Sequence, residues 1–131
     1  MKLVTPTQAA AAIRDGSIAI MPGGCARASA FYRALLEDVE RFEHLTLCSG
    51  FSFSPYTYLE RGLGTNTRYL TWQASPRMRE LFTKPDAKKV GFVPIRIADV
   101  HQVVSARGEI KPNVVVVQTS PPQADGRVSL G

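Results

Sequence analysis

Hydrophobic and polar positions follow two alternating patterns along the chain. Short apolar runs typical of strands fall at 17–21, 45–48, 68–71, 90–93 and 114–117. Between them, at 5–13, 26–39, 76–82 and 97–106, lie stretches with the composition and apolar spacing of helices. The last strand is four consecutive valines, which favours burial on both faces, as in a parallel sheet. The order of elements therefore predicts an α/β fold, an open and mainly parallel sheet flanked by helices.

Local signals mark where several of these elements begin and end. Thr5 precedes Pro6 and stands three residues before Gln8, which predicts a capping box at the start of the first helix. Gly16 is expected to end that helix region, and Ser75 to cap the helix at 76–82. The glycine-punctuated, aromatic stretch at 51–66 predicts an ordered loop.

Composition places the chain among globular proteins and indicates which classes of ligand it can bind. Its 131 residues are 44% hydrophobic and 21% charged, enough for one domain with its own core. No apolar run approaches the ~20 residues of a membrane span, and the start lacks a secretory profile, so we expect a cytoplasmic protein without a membrane partner. The net charge of +5 suits an anionic ligand such as a CoA-like phosphate ester. The basic residues are scattered, which argues against nucleic acid.

Cysteine and histidine usage predicts neither a disulfide framework nor a metal site. The two cysteines, Cys25 and Cys48, form no CxxC pair, and His44 and His101 have no metal-ligand spacing. Cys48 lies in an apolar run and is expected in the core. Cys25 stands at the predicted start of a helix, which would favour a thiolate, but no histidine lies near it in sequence to act as its base.

The first candidate for chemistry is the glycine loop, residues 21–26, with the sequence Met-Pro-Gly-Gly-Cys-Ala. Gly23 and Gly24 let a ligand approach the backbone closely, and the N–H groups of the helix expected next favour a developing oxyanion. The spacing does not match a dinucleotide fingerprint. On this motif alone, a tight turn that needs glycine only for its geometry is the favoured interpretation.

The second candidate is Ser120-Pro121-Pro122, which follows the valine strand. The prolines keep the backbone extended at the carboxyl end of a buried strand, the edge where ligands bind in open α/β sheets. Prolines that merely stiffen a connection explain the segment equally well. Trp72 and Tyr69 are expected to pack in the core rather than to line a cleft.

These residues also carry a resemblance to a known family. The pattern Ser-Pro-Pro-x-x-x-Gly-x-x-Ser-Leu-Gly at 120–131 resembles a segment of the acetyl-CoA hydrolase/transferase family, which includes acetate and 4-hydroxybutyrate CoA-transferases. The Ala-rich first helix ending in Asp-Gly, the glycine loop, Ala34-Leu35, Thr71-Trp72-Gln73 and Phe92-Val93-Pro94 agree with it. The similarity covers nearly all 131 residues.

The resemblance implies two related α/β domains of the CoA-transferase type, with residues 1–131 an incomplete first domain. It implies CoA and acyl-CoA as substrates rather than permanent cofactors, a small carboxylate or water as acceptor, and a glutamyl-CoA intermediate. Gly23, Gly24 and Cys25 become the oxyanion-loop candidates. Gly23 and Gly24, with Ser120, Pro121 and Pro122, become the CoA-binding candidates. Ala26 and Ala28 depart from the Gly and Pro that the family commonly has there.

The catalytic glutamate of that family lies beyond position 131, so no catalytic residue is assigned within this chain. Its own glutamates fall among other charges or in polar loop-like stretches, which favours solvated faces. They are Glu37, Glu40, Glu43, Glu60, Glu80 and Glu109. We therefore expect the chain alone to be inert, to require a missing half or partner chain, and to form homo-oligomers through exposed apolar surface.

Two alternatives remain open at this stage. One is a stand-alone, non-catalytic α/β module that binds a CoA-like anionic ligand or a partner subunit. The other is a small sugar-phosphate isomerase-type protein, since such folds are related to CoA-transferases. No acid/base pair placed along the sequence supports the isomerase.

Overall fold

The fold is a single parallel sheet with helices packed against it, as the sequence predicts. The computed structural model describes residues 2–51, 63–83 and 88–130. In this part of the chain five strands pair side by side in the order β4-β3-β2-β1-β5, and every pair is parallel. The strands are β1 Ile18–Ile20, β2 Leu45–Ser49, β3 Thr67–Thr71, β4 Val90–Phe92 and β5 Val114–Val115.

The described residues contain four α-helices, of which the first precedes β1 and the other three lie between strands. They are α1 Pro6–Ala11, α2 Ser29–Glu37, α3 Pro76–Leu81 and α4 Val100–Val103. Turns of 3-10 helix lie at Val39–Arg41 and Ile97–Asp99. Most of the loop predicted at 51–66 lies outside the described residues. No helix in the described ranges is both long and apolar enough to cross a bilayer.

Three helices are shorter than the sequence predicts. The expectation that Gly16 ends α1 is wrong, because the helix ends at Ala11 with Ala12 as its C-cap, and the Gly16 N–H donates to the His44 carbonyl instead. The expected start of α2 at residue 26 is wrong, because Ala28 has non-helical backbone angles and no side-chain cap. The expected extension of α4 to residue 106 is also wrong. There the Ile110 N–H donates to the Val103 carbonyl at 2.9 Å, so the chain turns back instead of continuing the helix.

The strand order reverses direction at β1. Strands β1 to β4 follow one another towards one edge, whereas β5 returns to the opposite side of β1 and forms the other edge. The prediction that the valine strand is buried on both faces is therefore wrong: only Val114–Val115 pair in the sheet, and Val115 is 63% exposed. Asn113 fixes that return: its N–H donates to the Ile18 carbonyl and its Oδ1 accepts the Ile18 N–H, both at 3.0 Å. Such a reversal leaves a crevice at the carboxyl ends of the strands.

The core lies between the sheet and its helices. Leu47 and Tyr69, from neighbouring strands, are completely buried, as is Met78 from α3. Phe42 closes the core between the 3-10 turn and β2. Burial of each such side chain contributes about 1.5–3 kcal/mol, so this apolar layer supplies the main stabilisation of the domain.

Helix α1 is closed at both ends by hydrogen bonds. The predicted capping box is confirmed: the Gln8 N–H donates to Thr5 Oγ1 at 3.2 Å, and the Thr5 N–H donates to Gln8 Oε1 at 3.0 Å. At the other end, Arg41 Nη2 donates to the carbonyls of Ala10 and Ile13 at 2.8 and 2.9 Å. The guanidinium thus adds a second donor to the Ala10 carbonyl, which already accepts the Ile13 N–H at 3.1 Å, and it places a positive charge at the C-terminal end of α1. The predicted Ser75 cap of α3 is also present.

We predict that Arg41→Met lowers the free energy of unfolding by about 1–2 kcal/mol, because two charge-assisted hydrogen bonds are lost while the aliphatic stem is kept. Urea denaturation measures the change. Arg33→Met, at an exposed position of α2, is the matched control and should change stability by less than about 0.5 kcal/mol. Equal effects of the two substitutions would show that Arg41 does not hold α1.

Asp15 holds the connection before β1 against the start of β2. Its Oδ1 accepts the N–H groups of Glu43 and His44, each at 2.8 Å. The His44 N–H is the larger cause that keeps the pKa of Asp15 below its ordinary value, although desolvation opposes it. The ionised carboxylate is therefore the form that the fold favours.

We predict that Asp15→Asn destabilises the chain at neutral pH and matters progressively less in acid. A carboxylate with a lowered folded-state pKa stabilises the fold above its unfolded pKa of about 3.9, and that contribution disappears as the pH falls through the folded-state value. Urea denaturation of both proteins at pH 7 and near pH 3 measures it. A stability difference that stays constant with pH would mean that the charge of Asp15 contributes nothing.

Candidate functional site

A cleft of about 680 Å³ lies at the carboxyl ends of the strands, where the strand order reverses. Its walls come from four successive strand ends, which explains why residues distant in sequence meet there. The contributing segments are 20–24 after β1, 50–51 after β2, 72–73 after β3 and 115–118 from β5 onwards. Ala26, Ile97, Val100 and Leu130 complete the lining.

The glycine loop forms one wall and packs against the chain that follows β2. The Gly24 N–H donates to the Phe51 carbonyl at 2.6 Å, with Gly24 at a φ of +60° that favours glycine. A Cβ on Gly23 would lie 2.8 Å from the same carbonyl oxygen. Both glycines are thus required by the geometry of this turn, and both line the cleft.

The N–H groups of the glycine loop divide into two sets. Those of Gly24 and Ala26 are used internally, by Phe51 and by the Gly23 carbonyl at 3.3 Å. Those of Gly23 and Cys25 make no hydrogen bond to any part of the chain that the structure describes. Of the predicted oxyanion candidates, Gly23 and Cys25 therefore have an N–H without a partner among the described residues, whereas the Gly24 N–H is used by the fold.

The expectation that a helix begins at the glycine loop is wrong. Helix α2 starts at Ser29, four residues after Cys25, so its positive end does not adjoin the Cys25 thiol. Cys25 is exposed and its side chain is outside the lining of the cleft. The other cysteine, Cys48, is completely buried, and burial raises the pKa of its thiol to about 11. Neither cysteine has the surroundings of an activated nucleophile.

The opposite wall is a short stretch after β3. Gln73 Oε1 accepts the Phe51 N–H at 2.7 Å, which leaves the Gln73 amide nitrogen as a donor at the cleft. Trp72, predicted to be core, is half-buried and lines the cleft, whereas Tyr69 is core as predicted. A Cβ on Gly50 would lie 2.7 Å from Trp72 Nε1 and 2.8 Å from Gln73 Oε1.

Sequence reasoning assigned no site role to Gly50, Phe51 or Gln73. Each stands one or two residues beyond the end of a strand, the position that brings side chains to the ligand edge of a parallel sheet. That offset from the strand end was the available signal. Because it depends on knowing the strand order, residue type alone could not reveal it.

The Ser-Pro-Pro segment forms one arm of an exposed hairpin. The Ser120 N–H donates to the Ser129 carbonyl at 2.8 Å, and Ser120 Oγ accepts the Ser129 N–H at 2.9 Å. Ser120, Pro121 and Pro122 are not among the lining residues of the cleft. The structure instead brings to the cleft the residues that flank the hairpin, Val115–Gln118 and Leu130.

The chemistry of the cleft is that of a neutral binding site. None of the lining residues in the described ranges is ionisable. The described glutamate side chains are exposed and outside the lining: Glu37, Glu40, Glu43 and Glu109. Glu60 and the side chain of Glu80 lie outside what the structure describes. The described residues contain no group of three or more His, Cys, Asp or Glu that could hold a metal ion.

A second cleft of about 580 Å³ adjoins the first and shares Val117 and Gln118 with it. Its lining runs from the N-terminal segment to the start of α2 and includes Arg27, whose guanidinium carbon lies 5.5 Å from the centre of the Tyr32 ring. Arg27 is the one ionisable residue that the described chain contributes to either lining. The two clefts together present an uncharged part and a basic part.

Comparison with known proteins supports the α/β fold described above. No protein-family model and no curated protein matches the chain. Solved structures do match, and they have the same class of parallel α/β domain. RipA from Yersinia pestis superposes with a TM-score of 0.83 at 22% identity, over 99% of this chain and 32% of RipA. Two single-substitution variants of RipA give TM-scores of 0.83 and 0.84 at 23% and 22% identity, each over 31% of their length. The chain thus spans about a third of the RipA structures.

We predict that Gly50→Ala shifts the fluorescence of Trp72, the single tryptophan, and lowers the free energy of unfolding by about 1–3 kcal/mol. The added methyl group would displace the indole from its present contact. Emission spectra and urea denaturation measure the two effects. Gly126→Ala is the control, because its φ of +81° also strains a side chain while nothing lies within 4 Å. An unchanged Trp72 emission in Gly50→Ala would contradict the packing described for this wall.

Proposed function

We propose that this chain is the N-terminal, glycine-loop portion of an acyl-CoA hydrolase or CoA-transferase. The enzyme would move CoA between an acyl-CoA and a carboxylate or water through a glutamyl-CoA intermediate, with the glutamate supplied from outside residues 1–131. The observation that supports it best is the cleft itself. The glycine loop, the stretch after β3 and residues 115–118, which we call the β5 wall, border it at the carboxyl edge of the sheet. The first two offer neutral donors, and the described lining contains no nucleophile.

The neutral donors suit the carbonyl oxygen of a thioester. The Gly23 N–H and the Gln73 amide group are uncharged donors on opposite walls of the cleft. When a nucleophile attacks a thioester, negative charge develops on that oxygen, and fixed dipoles stabilise it at little reorganisation cost. In this proposal Gly23 and Gln73 bind the oxygen, while Trp72 and the valines of the β5 wall exclude water.

The two adjoining clefts suit the two chemically different ends of an acyl-CoA. The neutral cleft suits the acyl group and the pantetheine arm, which carry no charge. The second cleft offers Arg27 to the phosphate-bearing end. Ser120, Pro121 and Pro122 then act indirectly, because their hairpin holds the strand that forms the β5 wall.

The missing nucleophile requires a further structural unit. The described glutamates are exposed and away from the cleft, so a carboxylate would have to arrive from another segment or chain. The apolar side chains exposed around the cleft would favour such an association, including that of identical copies. RipA, about three times as long as this chain, exemplifies the same fold within a larger polypeptide.

The alternative function is a non-catalytic module that binds a CoA-like ligand or a partner subunit. It is favoured by the same absence of ionisable groups in the described lining, because such a cleft can bind without performing acid–base chemistry. The two functions differ in what a supplied carboxylate nucleophile would do. Only the enzyme portion is built to activate a bound thioester towards attack.

We predict that the 131-residue chain binds CoA and acetyl-CoA but does not cleave the thioester. Calorimetric titration measures binding, and release of free thiol in the same samples measures cleavage. Gln73→Leu should weaken acetyl-CoA binding about tenfold, because the carbonyl loses one donor. Gln123→Leu, on the exposed hairpin, is the matched control and should bind like the unaltered chain.

Each other outcome has a distinct meaning. Absence of binding to both ligands would contradict the proposal. Cleavage by the chain alone would place a nucleophile within residues 1–131 and overturn the assignment of the glutamate to another unit. If added acetate accelerates loss of the thioester of bound acetyl-CoA, the result would favour the enzyme portion over the non-catalytic module.

A further inference from the structure

We propose that Thr71 is a positioning residue, which acts on a ligand in the cleft only through Gln73. The proposal rests on the proposed function, because it concerns how the Gln73 amide is held for a thioester carbonyl. Thr71 is the last residue of β3 and is completely buried, and it is not among the lining residues of the cleft. Its hydroxyl makes two hydrogen bonds within the described chain, and both go to Gln73.

The Thr71 hydroxyl closes the turn that carries Trp72 and Gln73 into the cleft. Oγ1 donates to the Gln73 carbonyl at 3.1 Å and accepts the Gln73 N–H at 3.3 Å. A hydroxyl has a single donor, so the bond to the carbonyl uses it completely. Threonine is branched at Cβ and therefore stiff, which means that the strand itself determines where this hydroxyl lies. The backbone of Gln73 is thereby fixed relative to β3.

The side chain of Gln73 is held by a separate contact. Its Oε1 accepts the Phe51 N–H at 2.7 Å, and only the oxygen of an amide can accept, so the NH2 group faces away from that bond. Gly50 restricts the same oxygen, since a Cβ at Gly50 would lie 2.8 Å from it. With the backbone and Oε1 of Gln73 both held, its NH2 group is the part left to donate to a ligand in the cleft.

Removal of the Thr71 hydroxyl would release one of these two constraints. The N–H and carbonyl of Gln73 would then seek other partners, and the turn would shift to let them do so. A donor that is already fixed binds more tightly than a mobile one, because no further ordering is needed when the ligand arrives. We therefore expect Thr71 to affect the binding of a thioester carbonyl without contacting it.

Three single substitutions test the proposal by calorimetric titration with CoA and acetyl-CoA. Thr71→Val keeps the branched shape but loses the hydroxyl. It should weaken acetyl-CoA binding about fivefold and leave CoA, which lacks the thioester carbonyl, unchanged. Thr71→Ser keeps the hydroxyl and should bind both ligands like the unaltered chain. Thr67→Val is the matched control, because Thr67 is buried at the other end of β3 and its hydroxyl bonds to no described residue.

A double variant tests whether Thr71 acts through Gln73. Thr71→Val combined with Gln73→Leu should bind acetyl-CoA no more weakly than Gln73→Leu alone, since the residue that transmits the effect is already gone. A further loss of about fivefold in the double variant would overturn the proposal. So would an equal weakening of CoA and acetyl-CoA by Thr71→Val, or the same acetyl-CoA loss in Thr67→Val, because either result means a merely structural role.

NMR of the ligand-free chain gives a readout that needs no binding. The side-chain amide resonances of Gln73 should lie apart from those of the exposed Gln123, and Thr71→Val should move them towards the Gln123 values. Resonances of Gln73 that stay in place would overturn the proposal. If Thr71→Val does not fold, the unaltered chain decides. A slowly exchanging Thr71 hydroxyl proton close to the Gln73 N–H supports the proposal, and a rapidly exchanging one overturns it.

The two readouts separate this proposal from the function on which it rests. If the unaltered chain binds neither CoA nor acetyl-CoA, the proposed function is overturned, and the amide resonances alone decide whether Thr71 holds Gln73. If acetyl-CoA binds and Thr71→Val changes neither its affinity nor the resonances, the positioning role is overturned while the proposed function stands.

Discussion

The reciprocal hydrogen bonds between Ile18 and Asn113 determine where the cleft can form. The two residues are 95 positions apart in sequence, yet each donates its N–H to the other at 3.0 Å. Strand β5 contributes only two residues to the sheet, so few ladder bonds hold it, and the Asn113 side chain supplies one more. Without β5 beside β1, the glycine loop would face solvent at the edge of the sheet. One amide side chain thus couples the topology to the existence of a site.

The glycine loop shows that the fold and the candidate cleft depend on the same backbone. The Gly24 N–H and the absence of a Cβ at Gly23 let the loop pack directly on the Phe51 carbonyl. Phe51 also contacts the stretch after β3, because its N–H donates to Gln73 Oε1. Two walls of the cleft therefore meet at one residue, and a shift of Phe51 would be felt on both. This arrangement holds the backbone of the glycine loop and the Gln73 side chain in fixed positions relative to each other.

The sequence was sufficient for the strands and for several caps because those signals are local. The Thr5–Gln8 box and Ser75 each act within a few residues of themselves. The burial of the valine run could not be predicted in this way, because it depends on the position of β5 at the edge of the sheet. The start of α2 and the end of α4 could not be predicted in the same way, since they depend on where the neighbouring chain donates its hydrogen bonds. The prediction that Trp72 lies in the core was wrong for a related reason. A large aromatic residue after a strand fits a core equally well until the strand order places it at a ligand edge.

The different environments of the two cysteines make this chain easy to label at one position. Cys48 is completely buried and the pKa of its thiol is raised to about 11, so a thiol-directed reagent reacts with it slowly in the folded state. Cys25 is exposed and sits in the glycine loop, between two residues that line the cleft. A spin label or fluorophore attached there would report on the occupancy of the cleft from its margin, without any engineered residue. The native chain thus already carries its own attachment point for distance measurements to an incoming partner.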